Sequence, residues 1–236
     1  MKQHKNPDWL PAPQFFVSVD DLTRQQQQEW SLVFKSITAP TNVRTMIAGL
    51  IPLAGVGNSM AIIEAKPDDA VLLVANLNSF ALDYVLRQKV QGQNLNWFMI
   101  EQLPILPPAA YARALTPGVT AADLVRREML RLTYTAHDMA PFARDLGHTD
   151  ASGEVLPPFA WDEADRRHRR ARLDALYFLL HSLTREDAAY ILSTFPIVAR
   201  EDIAAHGRFL TRDLILAYMN ALEAGDVDQV VALGQV

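Results

Sequence analysis

Asn76-Leu-Asn-Ser-Phe-Ala-Leu-Asp-Tyr-Val-Leu-Arg-Gln-Lys-Val-Gln-Gly-Gln-Asn-Leu-Asn-Trp-Phe-Met-Ile-Glu-Gln-Leu-Pro104 is the stretch on which the fold class of this chain turns. Leu77, Phe80, Ala81, Tyr84 and Val85 recur at i, i+3, i+4, i+7 and i+8, which puts them on one buried face of a helix. Asn76 or Asn78 is placed to cap that helix. Gly92, free to take positive φ, is expected to stop it. The helix ends in a cationic and amide-rich tip of Arg87, Lys89 and Gln91, followed by a polar loop of Gln93, Asn94 and Asn96. Phe98 to Leu106 then reads as an apolar strand. Helix, hinge and strand in one stretch predict a mixed region, and a tip of this kind suits a polyanion with hydrogen-bonding edges.

Upstream, alternation dominates. Phe15 to Val19 and Trp30 to Ile37 read as strands, the second with Trp30, Leu32 and Phe34 on one face. Asn42 to Ile51, closed by Pro52, is a third. Gly55-Val-Gly57-Asn58 is a turn, and Met60 to Ala65 and Val71 to Val74 are short β-type runs flanking the Lys66-Pro-Asp-Asp69 loop. Residues 1–14 carry three prolines and read as an extended arm. From Thr120 onward the pattern is helical. Ala121 to Thr133 forms one helix, Asp138 caps a short one, and Asp162 caps a long one striped by Leu173, Leu176, Tyr177 and Leu180. Thr184-Arg-Glu-Asp187 opens another as a capping box, ended by Pro196. Thr211 caps the last, Leu214 to Ala224, which Gly225 ends. Thr149 to Pro158 is a loop. The expected class is α+β: an arm over 1–14, a β-rich mixed region over 15–108 and an all-helical region over 109–236.

With 236 residues, 50% hydrophobic and 21% charged, the chain is long enough to bury a full core. It contains no cysteine, which excludes disulfides, thiolate metal sites and a cysteine nucleophile, and fits a reducing cytoplasm. No apolar run approaches the ~20 residues needed to span a bilayer, and no signal-peptide core follows Met1. A cytoplasmic protein without a membrane partner is expected. The net charge of −5 opposes nucleic acid as a whole. Its distribution does not. No acid lies between Glu29 and Glu64, where Lys35 and Arg44 sit, and none between Asp83 and Glu101, where Arg87 and Lys89 sit.

Patterns that imitate catalytic motifs are each better explained structurally. Asn6-Pro7-Asp8-Trp9 lacks the second proline of the Asn-Pro-Pro-aromatic loop that holds a flipped base. Glu64-Ala-Lys66 has the spacing of the end of a metal-dependent nuclease triad, but no preceding acid completes it. Gly55-Val-Gly57 lacks the third glycine and the following helix of a dinucleotide fingerprint. His137-Asp138 has no second histidine element at ligand spacing. His168 stands among Arg166, Arg167, Arg169 and Arg170, a basic face balanced by Asp162, Glu163 and Asp165 one turn earlier. The expected pairs are Asp162 with Arg166 and Asp165 with Arg169. No catalytic residue and no metal ligand is assigned.

Several segments, in order, carry a family resemblance: Ile37-Thr-Ala-Pro-Thr-Asn-Val-Arg-Thr-Met-Ile-Ala-Gly-Leu-Ile-Pro52, Gly57-Asn-Ser59, Leu72 to Lys89, Asn94 to Pro107, Leu132 to Pro141, Leu173 to Phe178 and Tyr190 to Val198. Together, roughly residues 15 to 224 resemble the C-terminal target-recognition region of large adenine-specific DNA methyltransferases of single-chain, type IIG-like restriction-modification systems, which serve phage defence. The helix-glycine-loop-strand unit is also similar, more weakly, to type I specificity subunits. Such enzymes carry their cofactor fold far upstream in a longer chain. The resemblance therefore implies a fragment, a truncated gene product or a separate specificity component. It also implies that S-adenosylmethionine binds in the missing catalytic domain, and that the partners are double-stranded DNA and a methyltransferase catalytic domain or subunit. In that division of labour Lys35, Arg44, Arg87 and Lys89 would serve phosphate. Asn58, Gln91, Gln93, Asn94 and Asn96 would serve base edges or bridging water. The opposing possibilities are that Asp83 simply pairs with Arg87 and the amides satisfy loop backbone, and that the chain is a protein-docking module.

Overall fold

Trp30, Leu32 and Phe34 share one face of β1, Trp30–Lys35, the centre of a three-stranded antiparallel sheet, and Ser31 and Val33 on its other face are buried as well. The computed structural model describes residues 3–12, 16–18, 20, 28–39, 41–90 and 92–233. β2, Ala48–Pro52, and β3, Met60–Ile63, flank β1, with Leu32 opposite both Leu50 and Ile63. The expected strand over 42–51 is thus confined to its end, because residues 41–47 turn around a buried carboxylate described below. Phe16 to Ser18 form no strand, and Phe15 and Val19 lie outside the described residues.

The expected strand Val71–Val74 is instead the middle of helix α1, Pro67–Leu77. Pro67 at the first turn and Asp68 and Asp69 beside the positive end of the helix dipole start it. Its apolar run is buried on all sides, so it carried no period by which helix and strand could be told apart. Helix α2, Phe80–Lys89, follows after a bend of 66°. Neither asparagine caps α2. Ser79 does, its Oγ accepting from the Leu82 N–H at 3.3 Å. The helix ends at Val90, and Gly92 is not in the left-handed region, so the glycine stop is not how this helix ends. The strand expected at Phe98–Leu106 is a single helical turn, α3, Trp97–Ile100, followed by turns.

A small hairpin of β4, Ala114–Thr116, and β5, Val119–Thr120, leads into the helical region. Thr120 closes a capping box on α4, Ala121–Thr133. Asp138 caps nothing and lies within a 3-10 turn, His137–Met139, ahead of α5, Ala140–Asp145. Asp162 caps α6, Glu163–Leu180, and the Thr184–Asp187 box opens α7, Arg185–Ser193, both as expected. Pro196 starts a helix rather than ending one: α8, Pro196–His206, which Gly207 closes at φ 72°. The last helix, α9, Leu210–Glu223, begins earlier than Thr211 would place it, at Phe209, and Gly225 at φ 83° follows it. The observed class is α+β, with the strands early and the helices late.

The main core does not respect residue 108. Trp30 and Leu32 of the sheet pack with α1, α4, α6, α7 and α9. Trp30 Nε1 also donates to Asp145 at 2.7 Å and its ring meets Phe142 edge-on at 5.3 Å. A smaller core, of Phe34, Met46, Leu77, Leu82, Leu86, Val90, Leu95, Ile100 and Leu103, underlies the loop that follows α2. Among the described residues no single helix is long and apolar enough to cross a membrane.

Candidate nucleic-acid interface

The loop after α2 lies against the end of β1 through two backbone bonds. Thr38 N–H donates to Gln93 C=O at 2.8 Å, and Leu95 N–H donates to Ser36 C=O at 2.7 Å. On the other side, Ser36 N–H donates to Ser59 C=O at 2.9 Å. Ser36 therefore holds two segments far apart in sequence on either side of one strand end. Lys35, Asn58, Gln93, Asn94 and Asn96, all exposed, come together on this rim. In the loop, Gln93 C=O, Leu95 N–H and Asn96 C=O have backbone partners, and no protein partner engages the side-chain amides of Asn58, Gln93, Asn94 or Asn96 among the described residues. Lys89, at the tip of α2, is half-exposed and donates to Gln102 at 3.3 Å. Gln91 lies outside the described residues.

Arg44 and Arg87 belong to a different structure. Asp83 is fully buried and accepts from Arg44 Nε at 2.9 Å, Thr45 N–H at 3.1 Å and Met46 N–H at 3.2 Å. Arg87 Nε is 3.9 Å from the same carboxylate. Arg44 also donates to the Asn78 carbonyl and lies 3.9 Å above the Phe80 ring. Arg87 donates to the Asn42 and Val43 carbonyls at 2.7 and 2.9 Å and lies 4.1 Å above Phe195. Burial holds the Arg87 guanidinium below its usual range, against the opposing pull of Asp83. Both arginines thus fasten the 42–46 turn to α2, a role the acid-free windows concealed because Asp83 sits at the edge of one of them.

Sequence reasoning also missed the apolar half of the rim. Ile37, Met60, Trp97 and Phe98 are all exposed there, Trp97 at 49% and Phe98 at 55%. Trp97 is braced edge-on against Phe34 at 5.3 Å. Reading 98–106 as a strand assigned these rings to a core, although Asn96-Trp97-Phe98 directly follows the polar loop. The basic face of α6 is likewise more engaged than expected. Arg169 forms the expected pair with Asp165 at 2.7 Å but is shared with the fully buried Glu128 at 2.6 Å. Asp162 spends its carboxylate on the helix N–H groups, while Arg166 donates to Leu132 C=O and stacks 3.6 Å over Trp161.

His168 Nδ1 lies 2.8 Å from the Tyr218 hydroxyl, and burial lowers its pKa. Among the described residues no cluster of His, Asp and Glu is arranged to hold a metal. Gly55-Val-Gly57 runs into β3 with no helix after it, and a Cβ on Gly55 would come within 2.9 Å of Val17. The turn thus lacks the following helix whose N-terminus would cradle the phosphates of a dinucleotide. No protein-family model matches the chain, and no curated protein or solved structure is similar to it.

Proposed function

We propose that this chain is a DNA target-recognition part of an adenine-specific modification or restriction-modification system, reading duplex DNA while a separate domain performs methyl transfer. The observation that carries the proposal is the rim at Ser36. Its backbone bonds bring a lysine and four side-chain amides onto one exposed edge and leave those amides without protein partners. Free amides can bond adenine at two points, and the lysines supply attraction to phosphate that carries no sequence information. On this reading S-adenosylmethionine binds in the separate catalytic domain.

Binding to a pool of about 30-base-pair duplexes tests the proposal, with Lys35→Glu combined with Lys89→Glu as the variant. Affinity should fall with salt at a log–log slope of about −2, and drop at least about tenfold in the variant while its melting temperature holds. Affinity indifferent to both changes defeats the proposal. Exposure of Ile37, Met60, Trp97 and Phe98 on the same rim favours a second reading, a protein-docking face, since aromatic residues are enriched at such faces. Under that reading Trp97→Ala with Phe98→Ala abolishes association with a purified methyltransferase subunit, and the lysine reversals do not.

A further inference from the structure

A groove of about 710 Å³ opens between the outer edge of β2 and one face of α6. Its strand wall is chemically unfinished. Lys35 N–H donates to Ile47 C=O and Leu53 N–H donates to Glu29 C=O, which fixes the antiparallel ladder so that Gly49 and Ile51 bond to β1. Ala48, Leu50 and Pro52 must then point their backbone groups away from β1. At Ala48 the outward N–H and C=O are both taken by the Asn78 side chain, at 3.1 and 3.0 Å, as a neighbouring strand would take them. At Leu50 no group does so among the described residues, and Pro52 offers a carbonyl alone. β2 has no second strand beside it among the described residues. A half-buried strand edge with unused donors and acceptors is a template for another strand.

The facing wall supplies charge. Glu163, Arg166, Arg167, Arg170 and Asp174 recur at i, i+3, i+4, i+7 and i+11 of α6 and all line the groove. The acids are already engaged: Glu163 with Arg170 at 2.7 Å, and Asp174 with Phe80 N–H at 2.8 Å. A third lining acid, Asp202, accepts from Thr211 N–H at 2.5 Å. Arg167 is half-buried with no hydrogen bond or ion pair among the described residues, and the buried Nε of Arg166 has no acceptor. Arg44, also in the lining, is committed to Asp83.

We propose that this groove takes an extended, acidic segment of a partner protein, added as a strand to the edge of β2 at Leu50. Carboxylates on alternate residues of the segment meet Arg167 and Arg166. Backbone bonds give the affinity of such an arrangement and alternate side chains its selectivity. The inference is independent of what the amide rim binds. Random peptides of about eight residues, displayed on phage and selected against the full chain, provide the probe; enriched sequences are then made as fluorescent peptides. The expected result is enrichment of Asp or Glu at alternate positions. Arg167→Glu should weaken binding at least about tenfold and Arg167→Lys much less, and exchange of the Leu50 amide should slow in the complex. Failure to enrich acidic peptides, or binding with Leu50 exchange unchanged, overturns the proposal. So does duplex DNA that displaces the peptide and itself loses affinity in Arg167→Glu, which would make the groove a nucleic-acid site.

Discussion

Asp83 and Asp174 are two buried carboxylates with opposite electrostatic situations, and each gives a measurable consequence. Asp83 faces two guanidinium groups and two backbone N–H groups, so removing it leaves Arg44 and Arg87 buried without their counter-charge. Asp83→Ala should cost about 3 kcal/mol in urea unfolding, since breaking a buried pair costs far more than the pair contributes. A loss below about 1 kcal/mol would mean the arginines find water instead. Asp174 is pushed up to about 6 by burial, with Arg44 and the Phe80 N–H pulling the other way. A carboxyl whose folded pKa is raised holds its proton more tightly in the folded state. Its contribution is therefore most favourable below the unfolded value near 4 and is lost as pH rises toward 6. Asp174→Asn keeps an oxygen for Phe80 and removes the charge. At about pH 7.5 it should be more stable than the parent by on the order of 2 kcal/mol, with the gap closing as pH falls to about 4. A gap that is constant with pH would show that Asp174 is not the group titrating.

At the scale of elements, the bend between α1 and α2 joins the sheet to the helices. Asn78 caps the edge of β2 at Ala48 alone, Asp83 holds the 42–46 turn, Phe80 N–H reaches Asp174 of α6, and the Phe80 ring meets Phe195 edge-on at 4.7 Å. Asn78→Ala removes both bonds to Ala48 and should cost about 2 kcal/mol, with faster exchange of the Ala48 amide as the local signature. Unchanged exchange there would mean that water replaces the side chain without loss. The bend also shows which parts of the fold were legible in sequence. The capping box at Thr184 and the cap at Asp162 were readable because their chemistry is local, complete within four residues, whereas the equally local box at Thr120 was not singled out. β1 was readable from the spacing of Trp30, Leu32 and Phe34, although Ser31 and Val33 on its other face are buried as well. Val71–Val74 and Phe98–Leu106 were not, because a run buried on all sides has no period, and because Trp97 and Phe98 are exposed where an apolar residue is expected inside. Pro196 was read as a stop when it serves as a first-turn residue, a position proline fits equally well. On the rim, the amides could be named from sequence. The pairing of Asp83 with Arg87 is local and was open to the sequence, but that Arg44 would be drawn inward by the same carboxylate is a long-range fact, since Arg44 and Asp83 lie 39 residues apart.

The whole molecule, at net charge −5, repels a polyanion, so any attraction to duplex DNA must act locally, within a Debye length of about 8–10 Å. With Arg44 and Arg87 held inside by Asp83 and backbone carbonyls, the cations left for phosphate on the rim are Lys35 and Lys89. Each phosphate contact contributes about 0.9 to the slope of log affinity against log salt, so this chain should show a shallow dependence. Reversing both lysines should reduce the slope by about 2. Replacing Asn58, Asn94 and Asn96 by Ala should do something different: leave the slope intact while erasing preference among duplex sequences, because amides read base edges and do not displace counterions. Arg44→Glu cannot serve as a binding test, since it places a second carboxylate against Asp83 and should lower the melting temperature before any duplex is added. Titration of each variant against a random duplex pool over a range of salt separates these effects. If the lysine variant keeps the parent slope, or the asparagine variant changes it as much as the lysine variant does, the assignment of charge to phosphate and of amides to bases fails.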